Sequence, residues 1–233
     1  MSRHSSGENW TLYKGDCVDV MRGMPAESVD LIITSPPYNL GTNHHTGNTR
    51  TNTYFDNMDE GNYQQWQVCV LEECFRILKQ TGSMLYNHKN RIKGGVQISP
   101  YEWLYKTKFI IKQEVVWFNR SQNFDKIRFY PMTERIYWLA KERTTKLFNT
   151  INKHDVFDTK DWPAVGTKGI HKRAFPEKMV SDLISCFPNS KVILDPFTGS
   201  GTTIKVAASM GLEGIGIEIS EEFCELIKER MTP

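Results

Sequence analysis

The stretch from Lys191 to Ile219 limits what this chain can fold into more than any other. KVILDPF reads as a buried strand, TGSGTT as a glycine turn, IKVAASMG as a helix closed by Gly211, and EGIGIEI as a second strand. Ser220 then caps a last helix bearing Phe223, Leu226 and Ile227. Upstream, FPEKMVSDLISCF, from Phe175 to Phe187, is an amphipathic helix with Pro176 near its start.

The amino-terminal third repeats the alternation. TLYKGD is a short strand, Val18–Met24 a helical stretch stopped by Pro25, and VDLIITS a near-continuous apolar strand that ends at Pro36-Pro37. A polar stretch rich in Asn, Thr and Gly, Gly41–Asn57, reads as an exposed loop. The helix after it carries Trp66, Val70, Cys74 and Ile77 on one face and is expected to end at Thr81-Gly82. SMLYN, VVWFNR and RIYWLAK are further strands, and residues 142–169 decay into polar, basic loop. Strands alternating with helices predict an α/β fold with a mainly parallel sheet, in which ligands sit beyond the carboxyl ends of the strands. With 233 residues and neither repeat nor low-complexity linker, the chain reads as one domain, 1–233.

Three strand ends carry unusual residues. Asp195-Pro-Phe-Thr-Gly-Ser-Gly-Thr-Thr203 runs a strand into a turn whose backbone N–H groups can approach a ligand closely. A phosphate loop needs a Lys after the second glycine, where Thr202 stands, and the dinucleotide fingerprint needs a glycine where Ile204 stands. Glu218, at the end of GIGIEI, suits both hydroxyls of a ribose. In Thr34-Ser-Pro-Pro-Tyr38, two prolines remove two donors and leave the carbonyls of Ser35 and Pro36 to accept from a ligand, while Tyr38 offers a ring for a planar group.

DPFTGSGTT together with TSPPY resembles the amino-group DNA methyltransferases, which use S-adenosylmethionine to modify N6 of adenine or N4 of cytosine. The catalytic motif here precedes the cofactor motif, which is similar to the permuted β class. The resemblance implies a Rossmann-like methyltransferase fold, a mainly parallel seven-stranded sheet with helices on both faces. It also implies roles. Asp195, Phe197, Gly199, Ser200, Gly201 and Thr202 hold the methionine part of the cofactor, Glu218 takes the ribose hydroxyls, and Ile219 packs on the adenine. Asp16 and Cys17, in YKGDC, meet the adenine edge. Ser35, Pro36, Pro37 and Tyr38 form the catalytic turn. HKRAFPEKMVSDLI is similar to the family segment before the cofactor loop, with His171-Lys172 where His-Pro is commoner.

The chemistry agrees with these roles. An exocyclic amine is a poor nucleophile because its lone pair is delocalised into the ring. The Ser35 hydroxyl and Pro36 carbonyl can accept its two hydrogens and draw the nitrogen towards tetrahedral geometry. The base must leave the duplex to be reached, and Tyr38 would stack on it. None of the five cysteines follows a proline, which argues against the carbon-5 cytosine mechanism. Ser-Pro-Pro-Tyr is more frequent among N4-cytosine enzymes and favours that amine, whereas Asn39-Leu40-Gly41 and Tyr54–Met58 resemble many adenine enzymes.

Between Tyr86 and Arg173 there are 18 Lys and Arg against 8 Asp and Glu, although the whole chain carries only +2. That basic middle suggests a surface facing a polyanion, here DNA. Lys89, Arg91, Lys93, Arg120, Lys126 and Arg128 are the candidate DNA contacts, interleaved with Phe118, Phe124 and Phe129, of which Phe129 is expected in the sheet core. Residues 142–169 are the candidate target-recognition insert, short enough to imply a short or loosely specified site. The histidines, His44-His45 included, form no pattern of ligand spacing with cysteine, so no metal is expected. Rivals from other classes are an RNA or protein-glutamine methyltransferase, which usually has Asn in place of Ser35, and an inactive DNA-binding module. Duplex DNA with a flipped base, single-stranded DNA and a homodimer are all compatible with the resemblance, and the sequence leaves a restriction endonuclease partner open. An odd number of cysteines without CxxC, no apolar run long enough for a membrane span, and no apolar leader in MSRHSSGENW point to the cytoplasm.

Overall fold

The computed structural model describes residues 3–41, 56–120, 126–148, 154–163 and 174–232. In chain order the elements are β1 (Arg3–Gly7), β2 (Trp10–Lys14), α1 (Cys17–Arg22), β3 (Val29–Thr34), α2 (Glu60–Ile77), β4 (Leu78–His88), β5 (Arg91–Lys93) and β6 (Val96–Ile98). They continue as α3 (Tyr101–Leu104), β7 (Ile110–Trp117), β8 (Glu134–Ala140), β9 (Val156–Phe157), α4 (Glu177–Ser185), β10 (Val192–Asp195), α5 (Thr202–Ser209), β11 (Glu213–Glu218) and α6 (Glu221–Met231).

Among the described residues nine strands form one sheet in the order β1-β2-β11-β10-β3-β4-β8-β7-β9, and β5 and β6 form a separate hairpin. The centre is parallel, from β2 through β11, β10 and β3 to β4, while β8 runs antiparallel between β4 and β7. The α/β class and mainly parallel sheet agree with the sequence. The count differs: β1 and β9 extend the seven expected strands at the two edges.

The apolar run of β3 faces two cores because alternate side chains point to opposite faces. Ile32 packs with α1 and α2 on one face, in a core that includes Met21, Leu71, Cys74 and Tyr86. Leu31 and Ile33 pack with α4 and α5 on the other, against Met179, Leu183 and Ala207. Burying a side chain of this size contributes about 1.5–3 kcal/mol, which is why β3 admits no polar residue between Leu31 and Ile33. The register Leu31↔Ile193 and Ile32↔Leu194 brings the ends of β3 and β10 to one edge, so Thr34 lies beside Asp195.

Several expectations are corrected. α2 ends at Ile77 rather than at Thr81-Gly82, and residues 78–82 already belong to β4. Gly82 is not a helix stop. A Cβ there would sit 2.8 Å from the Asp30 carbonyl, so the glycine permits the strands to approach. Phe129 is fully exposed, because it lies in irregular chain before β8 rather than in a strand. Residues 142–169 are not wholly an insert: β9 pairs in parallel with β7, and Trp162 is buried against Phe157 with its indole N–H donating to Asp182. Residues 149–153 and 164–169 of that segment lie outside the described residues, as do most of the 41–57 loop, His44-His45, Phe124 and His171-Lys172. The five cysteines are free thiols, and among the described residues no helix is long and apolar enough to cross a membrane.

Candidate active site

The parallel strands deliver their motifs to one edge. Asp195 ends β10, Glu218 ends β11, Ser35–Tyr38 follow β3, and Asn87 and His88 end β4. Because β8 is antiparallel, its first residue, Glu134, reaches the same edge.

The half that carries the glycine turn is built from backbone. Gly199 and Gly201 take left-handed φ of 53° and 82°, which side chains disfavour. A Cβ on Gly201 would meet Ile227 at 3.0 Å. The Glu218 carboxylate accepts from the Gly199 N–H and the Ser220 N–H, each at 2.8 Å, so the acid holds the turn 19 residues before it. Burial raises its carboxyl above the usual carboxylate range, opposed by those amides. The Gly15 N–H donates to the Glu218 carbonyl at 2.9 Å and brings Asp16 and Cys17 alongside. Asp16 caps α1 by accepting from the Val18 and Asp19 N–H groups. Ile219 is 54% exposed beside buried Glu218 and offers an apolar plate. Phe197 is braced edge-on by Trp66, with ring centroids 5.6 Å apart. Ser200 and Thr202 are buried within the turn.

Asp195 joins the two halves. Its Oδ1 accepts from Thr34 Oγ1 at 2.7 Å and from the Phe197 N–H at 3.0 Å. Burial pushes its carboxyl up to about 6, against the lowering effect of those donors.

The proline turn is held by side chains that local sequence patterns did not single out. His88 Nδ1 lies 2.9 Å from the Lys89 N–H and 2.8 Å from the Lys89 carbonyl, and its Nε2 lies 2.8 Å from Tyr63 Oη. Burial takes His88 down to about 3 and keeps it neutral. Tyr63 in turn donates to the Pro37 carbonyl at 2.7 Å and accepts from Gln67. Gln67 is reached by Tyr86, and Tyr86 by the Trp103 indole. A buried chain of satisfied hydrogen bonds thus fixes Pro37, the arrangement that low-dielectric interiors reward. Asn39, at φ 56°, clamps the backbone of Met58 through both ends of its amide.

Beyond that turn, Tyr38 packs its ring on His88 with centroids 4.5 Å apart. Its hydroxyl lies 2.7 Å from Ser35 Oγ and donates to Glu134 Oε2 at 2.9 Å. Asn87 Nδ2 donates to the same Glu134 oxygen at 2.7 Å and to Tyr38 Oη. Burial, with the Glu134 charge beside it, raises the Tyr38 phenol well above its ordinary value, so it stays a hydrogen-bonding hydroxyl. Burial likewise pushes the Cys17 and Cys74 thiols far above the reactive range.

The six basic candidates divide. Lys93, Arg120, Lys126 and Arg128 are exposed, and the Lys89 ammonium stands 5.9 Å from the Tyr38 ring. Arg91 is a correction: it is 4% exposed, forks onto both Glu60 oxygens at 2.7 and 2.9 Å, and lies over the Tyr63 and Trp103 rings. It stabilises the base of the β5–β6 hairpin instead of facing DNA.

A doubly covered parallel sheet with a glycine turn, a buried acid that holds it and a proline turn at one edge defines a Rossmann-like methyltransferase. The family model of DNA methylases named N6_N4_Mtase matches residues 29–229, and the chain belongs to that family. It is 29% identical over 255 residues to the type II methyltransferase M.HinfI of Haemophilus influenzae, across 95% of this chain and 68% of that protein. It is also 29% identical over 258 residues to the DNA adenine methyltransferase YhdJ of Escherichia coli K12, across 95% and 82%. Five curated relatives are each spanned over between 56% and 82% of their length. Among solved structures, the cytosine-N4-specific PvuII DNA methyltransferase superposes with a TM-score of 0.80 at 21% identity, over 97% of this chain and 87% of that one. The S-adenosylmethionine complex of M1.HpyAVI superposes at 0.61 with 20% identity, over 95% and 99%.

The protein is therefore an S-adenosylmethionine-dependent DNA methyltransferase acting on an exocyclic amino group. The residues present fit that cofactor: side-chain-free turn positions, a buried acid hydrogen-bonded to the turn, and an exposed apolar plate beside it.

Proposed function

We propose that the protein methylates N4 of a cytosine swung out of DNA, with Ser35 and the Pro36 carbonyl as the acceptors that activate the amine. The observation that carries this reading is the neutral hydroxyl of Ser35, where a carboxylate would suit an adenine enzyme, held 2.7 Å from Tyr38 Oη beside the Thr34–Asp195 bond. The cofactor supplies an electrophilic methyl group. The chain's own residues do the rest. Ser35 Oγ and the Pro36 carbonyl accept hydrogen bonds from the two amine hydrogens, the nitrogen lone pair forms the new N–C bond as the bond from the methyl to sulfur breaks and sulfur keeps its electron pair, and the amine then releases one proton to solvent. Asp195, Phe197, Gly199, Ser200, Gly201 and Thr202 hold the methionine part, Glu218 the ribose, and Ile219, Asp16 and Cys17 the adenine. Pro37 and Tyr38 shape the wall against which the base rests.

Lys89, Lys93, Arg120, Lys126 and Arg128 are the proposed phosphate contacts, and the described parts of 142–169 border the proposed recognition surface. Such contacts give affinity that falls steeply with salt. Adenine N6 is the second reading, favoured by the likeness to an adenine methyltransferase and by Asn39-Leu40-Gly41. Mass spectrometry of nucleosides from DNA incubated with protein and cofactor decides between them. N4-methylcytosine supports the first reading, N6-methyladenine replaces it with the second, and neither product removes both.

A further inference from the structure

We propose that Glu134 is a positioning residue for the methyl transfer: it fixes the direction of the hydrogen bonds around Tyr38 so that Ser35 presents lone pairs, not its hydrogen, to the target amine. The inference rests on the amino-group reading above but not on which base carries the amine.

Three donors converge on the Glu134 carboxylate. Tyr38 Oη and Asn87 Nδ2 reach Oε2 at 2.9 and 2.7 Å, and Asn119 Nδ2 reaches Oε1 at 3.0 Å. An ionised carboxylate only accepts, so the Tyr38 hydrogen is committed to Glu134. Tyr38 Oη is thereby turned into an acceptor. Its neighbours are the Asn87 amide, which can only donate through nitrogen, and Ser35 Oγ at 2.7 Å. The Ser35 hydrogen consequently points at Tyr38, so the serine meets the substrate as an acceptor, its oxygen also reached by the Asn87 amide at 3.5 Å. Asn87 obeys the same carboxylate. Its Nδ2 faces Glu134 although its buried Oδ1 finds no partner among the described residues, an orientation that a flipped amide would reverse into repulsion with Glu134.

With a neutral group in place of Glu134, Tyr38 is free to donate to Ser35. Ser35 would then aim its own hydrogen at the amine it must accept from. Glutamine is nearly the same shape, yet its amide nitrogen must oppose one of the donors arriving from Asn87, Asn119 or Tyr38.

The test is steady-state methylation of a DNA duplex by the wild-type protein, Glu134→Gln, Tyr38→Phe, Ser35→Ala and the Glu134→Gln/Tyr38→Phe double variant. Circular dichroism melts and S-adenosylmethionine Kd are measured alongside. Glu134→Gln should lower kcat about 10- to 100-fold, with KM for DNA and cofactor Kd within about threefold, as expected for lost orientation rather than lost binding. The double variant should be no slower than Tyr38→Phe alone, because Glu134 acts through the phenol. Unchanged kcat in Glu134→Gln overturns the proposal, and so does a loss that adds in full to that of Tyr38→Phe. Should Glu134→Gln fail to fold, Asn119→Ala and Glu134→Asp take its place, and wild-type kcat in both overturns the proposal. No methylation by the wild-type protein, or undiminished methylation by Ser35→Ala, instead overturns the underlying reading of the site.

Discussion

Thr34 Oγ1 donates a 2.7 Å hydrogen bond to Asp195 Oδ1 across 161 residues of sequence, with both side chains buried. This one contact joins the strand that ends in the proline turn to the strand that opens the glycine turn. Replacing Thr34 by Val keeps the shape but leaves a buried carboxylate short of a donor, at a cost of about 1–3 kcal/mol. Thermal melts should show that loss, and cofactor Kd should rise with it. An unchanged melting temperature would refute the coupling.

The Asp195 carboxyl, pushed up to about 6 by burial, gives a signed pH dependence. Its folded value lies above the unfolded one, so between about pH 4 and 6 the folded state holds the proton that the unfolded chain has released. The contribution of Asp195 itself should fall as pH rises through that window, read as the stability difference between the wild-type protein and Asp195→Asn, because buried His88, held down to about 3, gives the opposite slope over the same range. A cationic ligand favours the ionised carboxylate, so S-adenosylmethionine should bind more tightly at pH 7 than at pH 5, releasing a proton. Calorimetry in buffers of different ionisation enthalpy reads that proton, and Asp195→Asn should abolish the dependence.

Ser35→Ala should reduce kcat by about 100- to 1,000-fold, the usual loss for one group that stabilises only the transition state. Cofactor binding should persist, since Ser35 makes no contact with the glycine turn among the described residues. Radiolabelled methyl transfer and cofactor titration separate the two effects.

Arg91→Ala and Arg128→Ala should fail in opposite ways. Arg91 is buried against Glu60, Tyr63 and Trp103, so its loss should cost about 2–3 kcal/mol, discounted because Glu60 keeps some solvent. For a domain of this size that lowers Tm by roughly 4–12 °C. Arg128 is exposed, so its loss should leave Tm within about 1 °C and weaken DNA binding with a shallower salt slope. Melts and binding isotherms at several salt concentrations check both.

Gly201→Ala should damage the cofactor turn without touching any charge. The residue sits at φ 82°, and a methyl group would press on Ile227 at 3.0 Å. A loss of about 1–3 kcal/mol and a cofactor Kd raised at least tenfold are expected. Wild-type affinity in this variant would show that the turn adapts.

Local chemistry wrote much of this protein into its sequence. Apolar runs such as VDLIITS and KVILDPF can only be strands covered on both faces, and TGSGTT and Ser-Pro-Pro-Tyr constrain the backbone whatever surrounds them. Those segments determined the α/β class, the order of the two motifs and the glycine and proline turns. Which polar groups meet around the proline turn was decided by tertiary structure alone. Glu134 lies 96 residues from Tyr38, and only the antiparallel run of β8 beside β4 returns it to the catalytic edge. Arg91 reads as one more cation in a basic stretch until α2 presents Glu60 and Tyr63 to it. Gly82 reads as a helix stop until Asp30 stands against it. Periodicity reports the face on which a residue lies. Its hydrogen-bond partners and its exposure follow from strand order, which brings together residues that share no local pattern.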